Sequence, residues 1–202
     1  MSTETMITQT TFSEEARAKD ATTVFGFWMY LMTDFVLFAS LFSVYAVLRA
    51  NTLGGLSASQ VFVPSYVFIE TLILLTSSFM CGLALLSARA GSKARVLFWL
   101  IVSAILGAIF VTMELSEFRG LVVAGNSWRE SGFLSSYFAL VGTHGLHIII
   151  GLVWVVALII AIAVRGLTRS NMRKLMLWSM FWHFLDIIWI FIFTMVYLLP
   201  LI

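Results

Sequence analysis

The chain is poor in charge, proline and cysteine. Only 11% of its 202 residues are charged, two are proline and one is cysteine, while 61% are hydrophobic. A soluble domain carries about 25% charged and about 45–50% apolar residues. A water-soluble globule of this length could not hide so much apolar surface, so the composition describes an integral membrane protein in one module. The formal net charge is +2 and is scattered along the chain, which excludes a phosphate-binding surface and with it nucleic-acid binding. So apolar a chain is not disordered. The single cysteine, Cys81, has no internal partner, which excludes a disulfide scaffold; it lies in an apolar run and reads as a small buried residue. The two prolines, Pro64 and Pro200, fall at the ends of apolar runs, so no broken helix is indicated. There is no G-x-x-x-x-G-K and no G-x-G-x-x-G, and no long polar stretch that could host a nucleotide site.

Lysine and arginine are also missing from five long apolar runs, roughly 23–48, 63–88, 96–118, 133–164 and 175–200. A spanning helix needs about 20 mostly apolar residues. Alternating ten-residue segments are absent, which argues against a β-barrel. The predicted fold is an all-α bundle of five transmembrane helices, some tilted or projecting past the lipid. Arg17, Lys19, Arg89, Lys93, Arg95, Arg165, Arg169, Arg173 and Lys174 fall on one side, and Arg49, Arg119 and Arg129 on the other. The positive-inside rule then places the N-terminus in the cytoplasm and the C-terminus in the periplasm. Residues 1–22 lack the basic n-region and cleavage site of a signal peptide and read as a solvated, poorly ordered tail. Residues 23–202 read as the membrane domain, with 49–62, carrying Gly54, Gly55 and Ser57, as a short outer connection.

Small residues four apart, Ser78 and Gly82, Ser103 and Gly107, Ala104 and Ala108, predict faces where helix backbones approach closely, and Gly142 with Gly145 adds another. Tyr30, Trp128 and Trp178 are expected at the membrane interface.

The informative residues are ionisable ones inside the apolar runs: Asp34, Glu70, Glu114, Glu117, His144, His147, His183 and Asp186. A charge at the bilayer centre costs roughly 2.5–3.5 kcal/mol on insertion scales, so such groups face protein or water, pair, or stay neutral. Glu114 and Glu117, His144 and His147, and His183 and Asp186 are each three residues apart and share a helix face. Four readings are open. His144, His147, His183 and Asp186 could hold a metal; His144 and His183 could ligate a haem; the whole set could relay protons or ions. The plainest reading is hydrogen bonding between helices that fixes the bundle.

The stretch Phe138-Ala139-Leu140-Val141-Gly142-Thr143-His144-Gly145-Leu146-His147, followed by Gly151, resembles the H-G-L-H element of subunit III of haem–copper terminal oxidases. Trp182-His183-Phe184-Leu185-Asp186-Ile187-Ile188-Trp189 resembles the same family's W-H-F-x-D-x-x-W signature. Phe25-Gly26-Phe27-Trp28 with Asp34, Glu70 with Thr76-Ser77, and Glu114 to Phe118, with Glu114 where Gln is common, fit further elements of the family. The resemblance covers roughly residues 23–202. Five spans and the Arg165-Gly166-Leu167-Thr168 connection resemble the shorter cytochrome o (bo-type) ubiquinol oxidase branch; cytochrome c oxidase forms usually have seven spans. The resemblance implies an accessory, non-redox subunit in a bacterial inner membrane. It would pack against subunit I, beside subunits II and IV, and hold phospholipid. Haem and copper would belong to subunit I, and ubiquinol would be the substrate of the complex. No residue of this chain is then catalytic, cofactor-binding or metal-binding. Asp34, Glu70, Glu114, Glu117, His144, His147, His183 and Asp186 become candidates for buried interhelix contacts or lipid headgroups, with Glu70 protonated and bonded within the bundle and Asp186 paired with His183.

Overall fold

The computed structural model describes the backbone of residues 3–52 and 64–201 and the side chains of residues 21–52 and 65–200. Gly54, Gly55 and Ser57 lie outside the described residues, so the expected connection at 49–62 is described only at its start. Five long helices follow in order: α1 (Thr3–Leu48), α2 (Pro64–Arg89), α3 (Lys93–Val123), α4 (Gly132–Arg165) and α5 (Arg169–Ile192). α5 continues through a π-helical turn, Phe193–Leu198, into a short 3-10 turn, Leu199–Leu201. Each of the five is long and apolar enough to cross a membrane, as the apolar runs predict. Inside hydrocarbon a helix satisfies its own backbone hydrogen bonds, which is why uninterrupted apolar sequence takes this form.

The helices overrun the apolar runs at several ends. α1 starts at Thr3, so its helical backbone begins within residues 1–22, read from the sequence as a solvated tail. No glycine or proline occurs before Gly26, and the Glu14–Asp20 stretch contains good helix formers, so nothing local stops the helix. α5 starts at Arg169, because Thr168 caps it by accepting from the Asn171 backbone N–H at 3.3 Å. α2 and α3 end in the same way. Gly91 (φ 72) and Gly125 (φ 85) adopt the left-handed conformation. The paired bonds Ser92 N–H to Ser87 carbonyl with Gly91 N–H to Ala88 carbonyl, and Asn126 N–H to Leu121 carbonyl with Gly125 N–H to Val122 carbonyl, close the helix ends.

The chain divides into two compact units, residues 1–36 and 37–202. The first is the N-terminal part of α1. Within it Tyr30 and the buried Asp34 lie one turn apart on the same helix face. In the second, α2 packs on α3, α3 on α4, α4 on α5, and α5 returns to α2, which closes a ring of four helices. The contacts pair rising numbers on one helix with falling numbers on the next. Tyr66 reaches Ser116 while Ser77 reaches Ser103, and Thr71 meets Trp189 while Cys81 meets Ser179. All neighbours in the ring are therefore antiparallel. The final turns of α1 lie against α4 and α5, with Phe38 beside His147, Tyr45 beside Phe133 and Phe42 beside Phe191.

Two of the predicted small-residue faces are filled within the chain. A Cβ on Gly107 would sit 2.8 Å from the Trp182 ring, and one on Gly145 would sit 2.7 Å from the Glu114 carboxyl. Trp178, expected at the interface, is instead fully buried, with its indole N–H donating to the Gly151 carbonyl at 3.0 Å. A donor fixed on a partner within the bundle does not need the headgroup region. The close approach to Trp182 also holds at Gly151, where a Cβ would lie 2.8 Å from the ring. Gly151→Leu should therefore lower stability by about 1–3 kcal/mol, measured as a lower thermal midpoint in detergent. The same change at Gly120, where nothing lies within 4 Å, should leave the midpoint unchanged or slightly raised.

Candidate functional site

The polar side chains of the second unit gather on the contacts between helices. The longest series joins α2 to α5. The Trp189 indole N–H donates to Thr71 Oγ1 at 3.0 Å, and the Trp182 indole N–H donates to Ser77 Oγ at 3.2 Å. The Cys81 thiol donates to Ser179 Oγ at 3.4 Å. Between these rungs, Ser78 Oγ lies 2.5 Å from His183 Nδ1, and the same nitrogen is 3.6 Å from Asp186 Oδ2. His183 and Asp186 thus come together as the spacing predicts.

A serine pair continues the series onto α3. Ser77 Oγ donates to the Ser103 carbonyl and Ser103 Oγ to the Ser77 carbonyl, each at 2.9 Å, and the two hydroxyl oxygens are 3.1 Å apart. Hydrogen bonds between helices in a membrane contribute about 0.6 kcal/mol each on average, so their number matters more than any one of them.

A second cluster occupies the end of the bundle that holds the C-terminus. Glu70 on α2 and Glu114 and Glu117 on α3 lie within electrostatic range of one another. The Tyr197 hydroxyl donates to Glu117 Oε2 at 3.4 Å, and the Tyr137 and Tyr197 hydroxyl oxygens are 3.1 Å apart. Glu70 and Glu114 are buried. Both oxygens of Glu70 and Oε1 of Glu114 lack a hydrogen-bond partner among the described residues. Glu70 is therefore buried as expected, but its expected bond within the bundle is not found there.

The histidines of α4 separate. His144 is fully buried, stacked on Trp189 at 5.3 Å with Phe110 and Phe38 edge-on at 6.1 and 6.4 Å, and neither ring nitrogen has a partner among the described residues. His147 is half-buried and its Nδ1 lies 2.8 Å from the Thr143 carbonyl of its own helix. His183 belongs to the α2–α5 contact described above. The four-residue set of His144, His147, His183 and Asp186 does not converge, and among the described residues no three His, Cys, Asp or Glu side chains come together to hold a metal ion. Aromatic rings fill the space around His144 that a haem would need.

From the sequence, Trp178 is expected at the interface, and Trp182 and Trp189 are assigned no bond. Trp178, Trp182 and Trp189 are four and seven residues apart, which puts them on one helix face, and all three are buried donors. Spacing alone could have found them, together with the small residues facing them on α3 and α4. Tyr137 and Tyr197 carried no such signal, because their pairing joins residues 60 apart in the chain.

Residues 3–200 match a family model described as cytochrome c oxidase subunit III. The chain is 52% identical over 186 residues to subunit 3 of the cytochrome bo(3) ubiquinol oxidase of Pseudomonas aeruginosa, covering 92% of this chain and 89% of that protein. It is 43% identical over 178 residues to quinol oxidase subunit 3 of Bacillus subtilis, covering 88% of this chain and 87% of that protein. It is 43% identical over 173 residues to the cytochrome bo(3) ubiquinol oxidase subunit 3 of Buchnera aphidicola, covering 86% and 89%.

Glu70 supplies a direct test of the buried acids. A desolvated polar group without a partner costs about 1–3 kcal/mol, and an apolar side chain of similar volume removes that penalty. Glu70→Met should raise the thermal midpoint of the bundle. A fall in the midpoint would mean that the carboxyl has a partner outside the described residues.

Proposed function

Because the chain belongs to the cytochrome c oxidase subunit III family, we propose that it is the accessory, non-redox subunit of a proton-pumping quinol oxidase. The family membership agrees with the H-G-L-H and W-H-F-x-D-x-x-W stretches. The observation that carries the proposal is the identity to quinol oxidase subunits over most of both chains. In this reading the complex oxidises ubiquinol, reduces dioxygen to water and sits in a bacterial inner membrane. Haem and copper belong to subunit I, which this chain contacts and stabilises, with subunits II and IV beside them and phospholipid held against the bundle. The N-terminus faces the cytoplasm and the C-terminus the periplasm, supported by the nine-to-three distribution of Lys and Arg. Asp34, Glu70, Glu114, Glu117, His144, His147, His183 and Asp186 serve the bundle and its contacts and not the oxygen chemistry.

The interior supports this reading. Its donors are indoles, hydroxyls and a thiol that bond hydroxyls or a backbone carbonyl on the neighbouring helix, an arrangement that fixes helices in place. Isolated from its own membrane in mild detergent, the tagged chain should bring down a haem-bearing larger subunit with quinol oxidase activity. The chain freed from its companions should show no visible absorbance. Stoichiometric haem in the lone chain, or a complex that oxidises cytochrome c and not quinol, would overturn the proposal.

A further inference from the structure

Within the apolar stretch of α5, His183 is a polar side chain that turns outward. It lies near the midpoint of the 30-residue span Arg169–Leu198, and Ser78 lies near the midpoint of the 25-residue span Ser65–Arg89. Its side chain is 47% exposed while that of Asp186 is 7% exposed. Nδ1 is turned toward Ser78 and Asp186, so the far edge of the ring, with Nε2, is turned away from the bundle. Asp186 Oδ1 beneath it is buried without a hydrogen-bond partner among the described residues. Lipid tails at this depth offer an imidazole no hydrogen bond, and headgroups are too far away to reach it.

A second, independent feature lies beside it. Ser78 and Gly82 form one of the close-approach faces legible in the sequence, yet a Cβ on Gly82 would meet nothing within 4 Å. Gly107 and Gly145, from the other faces, are filled by side chains of this chain. Around Gly82, α2 exposes Phe68, Leu72, Leu75, Phe79 and Leu86. With Gly82 these positions alternate steps of four and three residues, the 3.5-residue repeat by which one helix packs along another. On α5 the exposed row continues from His183 through Ile187 and Ile190.

We infer that the α2–α5 face around His183 and Gly82 seats a transmembrane helix of another subunit, one that brings a hydroxyl or carboxamide side chain to His183 at mid-membrane. Either group both donates and accepts, and so serves whichever tautomer the contact with Ser78 and Asp186 selects. Gly82 lets the two backbones approach, and the apolar row supplies the packing that holds helices together where no hydrophobic drive exists. The inference rests on the reading of this chain as an accessory oxidase subunit.

The test isolates the tagged full chain from membranes that contain the whole complex, in mild detergent, and reads haem absorbance per chain. His183→Leu and Gly82→Leu should each lower retained haem several-fold. His183→Leu also removes the contact with Ser78, so fold is read alongside: helical and near-ultraviolet tryptophan circular dichroism should stay as in the wild type in both variants, since the indole bonds to Thr71, Ser77 and the Gly151 carbonyl are kept. His183→Gln, which keeps a donor and an acceptor, should retain most of the haem. Gly120→Leu, the same substitution at an open position of α3, should retain all of it. Wild-type retention in both His183→Leu and Gly82→Leu, or an equal loss in Gly120→Leu, overturns the inference. So does a wild-type chain that pairs through this face with a second copy of itself. A wild-type isolate with no haem-bearing companion overturns the accessory-subunit reading, which is a distinguishable result.

Discussion

Trp182 is the contact on which the bundle depends. Its indole N–H reaches Ser77 on α2, and its ring lies where Gly107 on α3 and Gly151 on α4 lack side chains. One residue of α5 therefore touches each of the other three helices of the ring. Lipid tails are as apolar as leucine, so helices in a membrane are not driven together by exclusion from water; they associate through shape and hydrogen bonds. Trp182 supplies both at once. The serine pair linking Ser77 to Ser103 extends the same contact, and the bond from Trp178 to the Gly151 carbonyl anchors it one turn away.

This arrangement gives α5 two characters. Its inner face presents Trp178, Trp182 and Trp189, all buried and all donating. The next position along, His183, points the other way. Trp182 and His183, about 100° apart on the helix, thus differ in burial: the indole is enclosed by the bundle, while the imidazole meets Ser78 with one edge and leaves the rest of its ring exposed. The end of the ring that holds the C-terminus is a contrast. There Glu70, Glu114 and Glu117 gather with Tyr137 and Tyr197 in an interior that contains no lysine or arginine. These acids meet hydroxyls and one another and not a basic side chain, in contrast to the indole bonds that hold the middle of the ring.

Much of the fold was legible because the signal is coarse. Long runs without Lys or Arg mark helices, and few alternatives survive when backbone groups must be satisfied without water. The ends were less legible. α1 and α5 continue past their apolar runs, because helix formation at a membrane boundary follows caps and local propensity and not hydropathy. The pairing of His183 with Asp186 was readable from a three-residue spacing, but the gathering of all the polar intramembrane residues was not. His144 and His147 share a helix, yet one is enclosed by rings and the other bonds its own backbone. Trp178 illustrates the same gap. An aromatic near the start of an apolar run fits an interface equally well by sequence, and only the carbonyl of Gly151 opposite it makes the interior the better place.

What the sequence determined by itself is the class of molecule: five apolar helices, scarce charge, and two motifs that place the chain in its family. Those properties are local, written in runs and spacings along one strand of residues. Tertiary structure alone decided which glycine meets which indole, which acids lie near one another, and which side of α5 is exposed. These depend on residues far apart in number meeting at distances of a few ångströms, and no pattern within a single helix encodes the partner on the next.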